Sequence, residues 1–225
     1  MNKGFDNLIF DMDGTLWDNV NSYVTAWNNG LGKTGHSERV TRADLLGQMG
    51  KEIGQMMNAI VPESTEQKRT ELMYAVFDAY DELVASGNLQ PTIFPDVLTG
   101  LEKLKEKYKL FLLSNCEEGG LVKFMKYTGT EEIFTDYQEY GQNFLPKSKN
   151  IKLLIERNNL KSTIYIGDTL SDGRETRKAG IPFGFVSYGF GNTDDYDVKF
   201  DSFGELVEYF NKLNTDNADT TDLYK

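Results

Sequence analysis

The fold is decided by residues 8–17, which read LIFDMDGTLW. Residues 8–10 form an apolar run typical of a strand buried on both faces, and the run ends in two carboxylates and a glycine. In an extended backbone, side chains two positions apart point to the same side, so Asp11 and Asp13 are expected to project together from the end of the strand. Two carboxylates held that close repel each other unless a cation lies between them or one keeps its proton. The pair predicts a site rather than a hairpin, because the residues that follow have helical spacing.

The chain around this stretch divides into two kinds of pattern. After the first strand, apolar residues recur at helical spacing with no strand pattern, which predicts an inserted all-helical block. Short apolar runs then alternate with amphipathic segments, which predicts a parallel sheet with helices on both faces. We therefore predict an α/β fold with a Rossmann-like parallel-sheet core. The predicted boundaries are a core at residues 1–15 and 89–212, an all-helical cap at 16–88, a last helix over 203–210 and a flexible polar tail at 213–225.

Acidic residues also follow a second buried strand of the predicted sheet. Asp168 comes shortly after the apolar run 163–166, and Asp172 lies one helical turn later. In such sheets ligands bind outside the carboxyl ends of the strands. Alone, Asp168 could be a helix cap, but beside Asp11 and Asp13 it favours a site for Mg²⁺, an ion that takes carboxylates, water and phosphate oxygens. Asp172 is either a further acid of that site or a surface residue.

Groups able to hold an anion fall near the same edge of the predicted sheet. Gly14 lets the backbone turn, and the amides that follow it can face a phosphate. Ser114 and Asn115 end the strand predicted at 110–113 and offer a hydroxyl and an amide for phosphate oxygens, although such residues also commonly begin a loop.

Two lysines, Lys147 and Lys149, stand at the predicted start of a helix. Helix N-termini favour anions, so cations there are electrostatically misplaced. A solvated side chain is the usual explanation for such a lysine, and a role at the site is the alternative.

Composition limits the classes of protein to consider. The 225 residues include one cysteine, Cys116, so no disulfide forms within the chain and a cytoplasmic location is expected. A net charge of −11 argues against broad binding to nucleic acid or to an anionic membrane surface. We expect no membrane span and no secretory signal, because the sequence has neither pattern. An acidic protein that acts on phosphates must concentrate positive charge locally.

Taken together, these motifs resemble those of the haloacid dehalogenase superfamily. The first motif, Asp-x-Asp-Gly-Thr-Leu, occupies residues 11–16, and the others begin at Ser114, Lys147 and Asp168. They occur in order over about residues 7–187. Members of this superfamily are mostly magnesium-dependent phosphatases that form an aspartyl-phosphate. The predicted cap resembles that of the subclass containing phosphoglycolate phosphatase and β-phosphoglucomutase.

The resemblance implies a role for each of these residues. Asp11 would attack phosphorus, and Asp13 would protonate the leaving oxygen and then take a proton from water. Lys147, chosen over Lys149 on the spacing of the motif, would bond the phosphate and Asp11. Mg²⁺ would be held by Asp11, Asp168 and the backbone carbonyl of Asp13, and the remaining phosphate oxygens by the amides of Gly14 and Thr15 and by Ser114 and Asn115.

The resemblance therefore implies an enzyme that hydrolyses a small phosphorylated metabolite, as a monomer or a homodimer. A sugar phosphomutase similar to β-phosphoglucomutase is an alternative, but that branch carries a histidine where Tyr23 stands here. A non-catalytic protein that binds a phosphate ligand is a second alternative, against which the complete motifs argue. Asp13 argues against carbon–halogen cleavage, which needs no such acid, and against the phosphonate-cleaving branch, which lacks it. In the cap, Lys51 either grips the far end of the substrate or is an exposed helix lysine.

Overall fold

The computed structural model describes residues 4–219. Its strands are β1 (Asn7–Phe10), β2 (Trp17–Asp18), β3 (Thr92–Ile93), β4 (Lys109–Ser114), β5 (Phe134–Glu139), β6 (Thr163–Gly167), β7 (Phe183–Val186) and β8 (Val198–Phe200). Its helices are α1 (Val20–Lys33), α2 (Arg42–Leu46), α3 (Ile53–Ile60), α4 (Glu66–Ala85), α5 (Val97–Lys105), α6 (Gly120–Thr128), α7 (Lys147–Arg157), α8 (Leu170–Ala179) and α9 (Phe203–Asp219).

A six-stranded sheet in the order β5-β4-β1-β6-β7-β8 forms the core, and every neighbouring pair in it is parallel. The first strand, β1, lies inside the sheet with Phe10 opposite Leu112 of β4 on one side and Ile166 of β6 on the other. Because the three strands run in the same direction, the residues that follow them emerge at the same edge. The predicted α/β fold with a parallel-sheet core is confirmed.

The strand β1 is buried on both faces, as its apolar run predicts. Leu8 and Phe10 pack into the hydrophobic cluster beneath α5, α6 and α9, whereas Ile9 packs into the cluster beneath α7. Fully burying one such side chain contributes about 1.5–3 kcal/mol. These contacts fix the position of the end of β1 in the sheet, and with it the position of Asp11.

The helices α1–α4 lie within the segment 16–88 that was predicted as the cap, and they share a hydrophobic cluster of their own. The chain enters and leaves the cap through β2 and β3, which pair antiparallel with Trp17 opposite Ile93 and Asp18 opposite Thr92. Strands this short carry no alternating pattern, which is why the sequence did not predict them.

The last helix, α9, runs from Phe203 to Asp219 and so continues past residue 210, where it was predicted to end. The tail predicted at residues 213–225 therefore falls partly on this helix, while residues 220–225 lie outside the described residues. No helix within residues 4–219 is both long and apolar enough to cross a bilayer.

Candidate active site

Three carboxylates meet at the edge of the sheet where β1 and β6 end. Asp11 follows β1, Asp168 follows β6, and Asp172 lies in the first turn of α8. Each offers an oxygen within 4.8 Å of the other two, and all three are buried. Burial, opposed by Lys147, raises the pKa of Asp11 to about 6, and burial together with Asp172 and Asp11 raises that of Asp168 well above its usual range. A buried cluster of this kind needs positive charge to stay ionised.

Lys147 supplies part of that charge. Its side chain is 2 % exposed, and its Nζ donates to Asp11 Oδ1 at 3.1 Å and to Asp172 Oδ1 at 2.6 Å. Burial alone would lower the pKa of the ammonium, but Asp11 and Asp172 outweigh burial and raise that pKa well above its ordinary value. Lys149, the other lysine of the predicted helix start, is exposed. A cation in the first turn of α7 is unfavourable next to the helix N-terminus, and the two carboxylates across the site compensate for this.

Asp13 does not join the carboxylate cluster but points towards the cap. Its Oδ1 accepts hydrogen bonds from Trp17 Nε1 at 2.9 Å and from the hydroxyl of Tyr23 at 3.0 Å. Burial, and then the neighbouring charge of Asp11, raise the pKa of Asp13 to about 8, although both hydrogen bonds act in the opposite direction. A carboxyl group that keeps its proton near neutral pH is suited to general acid catalysis.

The donor set fits a hard divalent cation. Asp168 Oδ1 is buried without a hydrogen-bond partner, while its Oδ2 accepts from the amide of Phe190 at 2.6 Å. Mg²⁺ takes one or two carboxylates in an oxygen environment, and a buried, unpartnered carboxylate oxygen beside Asp11 meets that need. Asp172 is less available, because its Oδ1 accepts from Lys147 and its Oδ2 from the amide and hydroxyl of Thr169.

The backbone around Asp168 approaches so closely that only glycine fits. A Cβ added to Gly14, whose φ is +82°, would lie 2.1 Å from Asp168 Oδ2, and one added to Gly189 would lie 2.3 Å from the carbonyl oxygen of Gly14. The Gly14 amide donates to Trp17 O and the Thr15 amide to Met12 O. Both amides thus close the turn after β1, and their binding of phosphate oxygens stays a prediction.

The other predicted residues lie around one cavity of about 400 Å³ that also contains Asp11, Asp13 and Lys147. Ser114 lines it at the end of β4 and is buried. Asn115 lines it too, but its side-chain amide donates to Gly50 O in the cap at 3.0 Å. Lys51 lines the cap side, is exposed, and donates to Gly47 O at 3.1 Å and to Gln48 Oε1 at 3.0 Å.

Sequence reasoning missed the loop that follows β7. There the Tyr188 hydroxyl donates to Thr15 O at 2.9 Å, the Phe190 amide donates to Asp168 Oδ2, and Gly189 lies against the Asp168 side chain. A glycine on each side of Phe190, after a buried strand, is the signal that could have pointed to this loop. Glu139 was also missed: it is buried and accepts from the amides of Gly119 and Leu121 at the start of α6.

The chain is similar to known proteins in both sequence and structure. The family model for haloacid dehalogenase-like hydrolases matches residues 8–186. A phosphoglycolate phosphatase of Psychrobacter arcticus is 27% identical over 91% of this chain and 95% of its own length, and one of Rhodobacter capsulatus is 25% identical over 88% and 94%. A haloacid dehalogenase-like family hydrolase from Streptococcus pneumoniae superposes with a TM-score of 0.78 at 20% identity, over 92% of this chain and 98% of that one. A protein from Haemophilus somnus, described as a predicted phosphoglycolate phosphatase, gives 0.80 at 20% identity over 93% and 99%.

Proposed function

The chain belongs to the haloacid dehalogenase-like hydrolase family, and from this we propose that it is a metal-dependent phosphatase that hydrolyses small phosphomonoesters through an aspartyl-phosphate. The observation that supports the proposal best is the buried meeting of Asp11, Asp168 and Lys147 at one sheet edge. The relatives named as phosphoglycolate phosphatases support the same reaction class. In this proposal the core at residues 1–15 and 89–212 carries the chemistry, and the cap at 16–88 covers it.

We propose that the metal is Mg²⁺. The carboxylates of Asp11 and Asp168 and the backbone carbonyl of Asp13 would hold it. When bound, the ion would supply positive charge against the phosphate oxygens. Such charge is needed, because a carboxylate and a phosphate oxygen that each carry a full charge repel by about 5 kcal/mol at ~3.5 Å and an effective dielectric of ~20. Asp172 then serves mainly to hold Lys147, since both of its oxygens already accept hydrogen bonds.

The protein's own residues divide the chemistry as follows. A carboxylate oxygen of Asp11 attacks phosphorus in line and forms a P–O bond while the ester P–O bond breaks. Asp13, protonated below its raised pKa of about 8, gives its proton to the departing alkoxide. The Asp13 carboxylate then takes a proton from the water that attacks the aspartyl-phosphate, which releases phosphate and restores Asp11. Throughout, the Lys147 ammonium stays beside Asp11 and balances the charge of the transferring group.

The test is phosphate release from a panel of metabolite phosphates in the presence of Mg²⁺. We expect wild type to release phosphate and Asp11→Asn to release none above background, because an amide oxygen is a poor nucleophile. Asp78→Asn, at an exposed position of α4, is the matched control and should behave as wild type. Equal rates for Asp11→Asn and wild type would overturn the proposal. Isomerisation of a sugar phosphate primed with a bisphosphate, with little free phosphate, would favour the phosphomutase instead.

A further inference from the structure

The wall that the cap contributes to the cavity is apolar. The cavity has a volume of about 400 Å³, within the range of roughly 300–1,000 Å³ found for pockets that take drug-sized ligands. A two-carbon leaving group would fill a small part of this space. The lining side chains on the cap include Trp27, Met49, Met56, Met73 and Phe77. Methionine side chains are flexible and polarisable, so such a wall can adapt to an apolar ligand.

Among the described residues that line the cavity, two of the three cations have carboxylate partners, whereas the exposed Lys51 donates to neutral oxygens. Lys123 Nζ lies 2.5 Å from Asp81 and 3.1 Å from Glu117. Lys147 is held by two buried carboxylates and Lys51 by two oxygens of its own loop, as described above.

Acids outnumber bases among the described residues that line the cavity. The bases are Lys51, Lys123 and Lys147, with no arginine or histidine, and the acids are Asp11, Asp13, Asp81, Glu117 and Glu118. Most of these charges are compensated, because Asp13 keeps its proton near neutral pH and Lys123 and Lys147 pair with three of the other acids. A carboxylate placed along the apolar wall of the cap would lose water there without gaining an ionic partner.

Two exposed aromatic side chains extend the apolar wall towards solvent. Tyr74 of the cap is 59% exposed and Phe144 of the core is 64% exposed, and both line the cavity. The backbone of Phe144 has a φ of +56°, which is unfavourable for a bulky residue, and its ring meets that of Tyr140 edge to face at 5.6 Å. Exposed aromatic rings on both sides of a cavity offer apolar faces to a ligand.

We propose that the alcohol part of the substrate is apolar. This inference rests on the proposed phosphatase function and adds the substrate class. Phosphorus would lie beside Asp11 and Lys147, and the hydrocarbon part of the ester would extend along Met56, Met73 and Tyr74 of the cap. The alcohol of phosphoglycolate, by contrast, carries a carboxylate and no apolar group large enough to cover this wall.

The test is a homologous series of primary alkyl phosphates, ethyl, butyl and hexyl, whose leaving groups have nearly equal acidity. Each fully buried methylene is expected to raise kcat/KM by about fourfold. With partial burial, hexyl phosphate should still exceed ethyl phosphate by at least about tenfold. A carboxylate at the end of the hexyl chain should remove most of this gain, because a charge loses its water on an apolar wall, and phosphoglycolate should react no faster than ethyl phosphate.

Variants of the cap wall separate this effect from folding. Met56→Gln and Met73→Gln replace half-buried apolar side chains with polar ones of similar length. Both should lower kcat/KM for hexyl phosphate several-fold more than kcat/KM for ethyl phosphate, because the short ester makes fewer contacts with them. Leu98→Gln, at an exposed leucine outside the cavity, is the matched control and should change neither value.

The outcomes separate the inference from the function on which it rests. A flat alkyl series, or phosphoglycolate reacting about tenfold or more faster than hexyl phosphate, would overturn the inference and leave the phosphatase standing. Equal losses for ethyl and hexyl phosphate in both methionine variants would also overturn it. Release of phosphate from no ester at all in the presence of Mg²⁺ would overturn the proposed function itself.

Discussion

Replacing Lys147 with methionine tests the electrostatics of the site most directly. Methionine keeps a similar unbranched apolar stem and removes the ammonium group, with its charge and its hydrogen bonds to Asp11 and Asp172. The ammonium lies 3.1 Å from Asp11 Oδ1, and the lysine side chain is 2 % exposed, so bulk water screens it poorly. At that separation, two unit charges in an effective dielectric of ~20 interact by about 5 kcal/mol. In the proposed reaction the same ammonium faces the negative charge of the transferring phosphoryl group at a comparable distance.

The expected loss in kcat follows from this figure. Since each ~1.4 kcal/mol is a factor of ten in rate, Lys147→Met should lower kcat by about 10³- to 10⁴-fold. The assay is steady-state phosphate release at saturating Mg²⁺, with the midpoint of thermal unfolding measured beside it. Removing one partner of a buried ion pair also costs about 3–5 kcal/mol of stability, so activity must be read well below the unfolding temperature.

Lys149→Met is the matched control for Lys147→Met. It removes the same charge two residues away, but Lys149 is exposed, so both kcat and thermal stability should stay close to wild type. A loss of less than about tenfold for Lys147→Met, in protein that is still folded, would refute the assignment of this lysine. A large loss for Lys149→Met would mean that the spacing of the lysine motif had been read wrongly.

Three further predictions concern the metal, a glycine and the acid. Chelation should abolish phosphate release and added Mg²⁺ should restore it, and activity that survives in excess chelator would disprove metal dependence. Gly14→Ala should weaken Mg²⁺ binding and lower activity at least about tenfold, because the new Cβ would lie 2.1 Å from Asp168 Oδ2 and would displace a metal ligand. Gly129→Ala is the control: it carries the same positive-φ strain, its Cβ would meet nothing within 4 Å, and Mg²⁺ titrations should stay unchanged. Tyr23→Phe removes a hydrogen bond that favours the Asp13 carboxylate, so the pKa of Asp13 should rise further and the alkaline limb of the kcat/KM profile should move to higher pH; a shift to lower pH would contradict the proposed acid role.

The position of the site could be predicted from the sequence because each signal in it is local. An apolar run that ends in Asp11 predicts a buried strand with an acid at its end, and the run before Asp168 predicts the same. Parallel neighbours then bring these ends to one edge, and the observed register has Phe10 opposite Ile166. The spacing of the motif likewise separates Lys147, which is buried at the site, from its exposed neighbour.

The partner that each polar group finds was beyond the reach of this reasoning. The amides of Gly14 and Thr15 can face an anion in principle, but their use depends on the tight turn that Trp17 and Met12 close. Asp172 makes one contact that the sequence pattern indicates and one that it does not. Its bonds to Thr169 form a capping box that the sequence pattern can indicate, whereas its bond to Lys147 joins residues 25 positions apart and has no local signal.

The pairing of β2 with β3 has a consequence for how the two parts of the molecule can change independently. Trp17 lies opposite Ile93, so the chain leaves the core domain and returns to it at two adjacent, paired strands. When the two ends of an inserted domain lie side by side, its length has little effect on the stability of the core, because the entropic cost of closing a loop grows only slowly with loop length. The helices between these two residues could therefore be replaced by helices of another length, or with other cavity-lining side chains, without displacing Asp11. Selectivity would then depend on the inserted helices, and the position of the attacking carboxylate would depend on the sheet, while Tyr23 of the insert links the two parts through its hydrogen bond to Asp13.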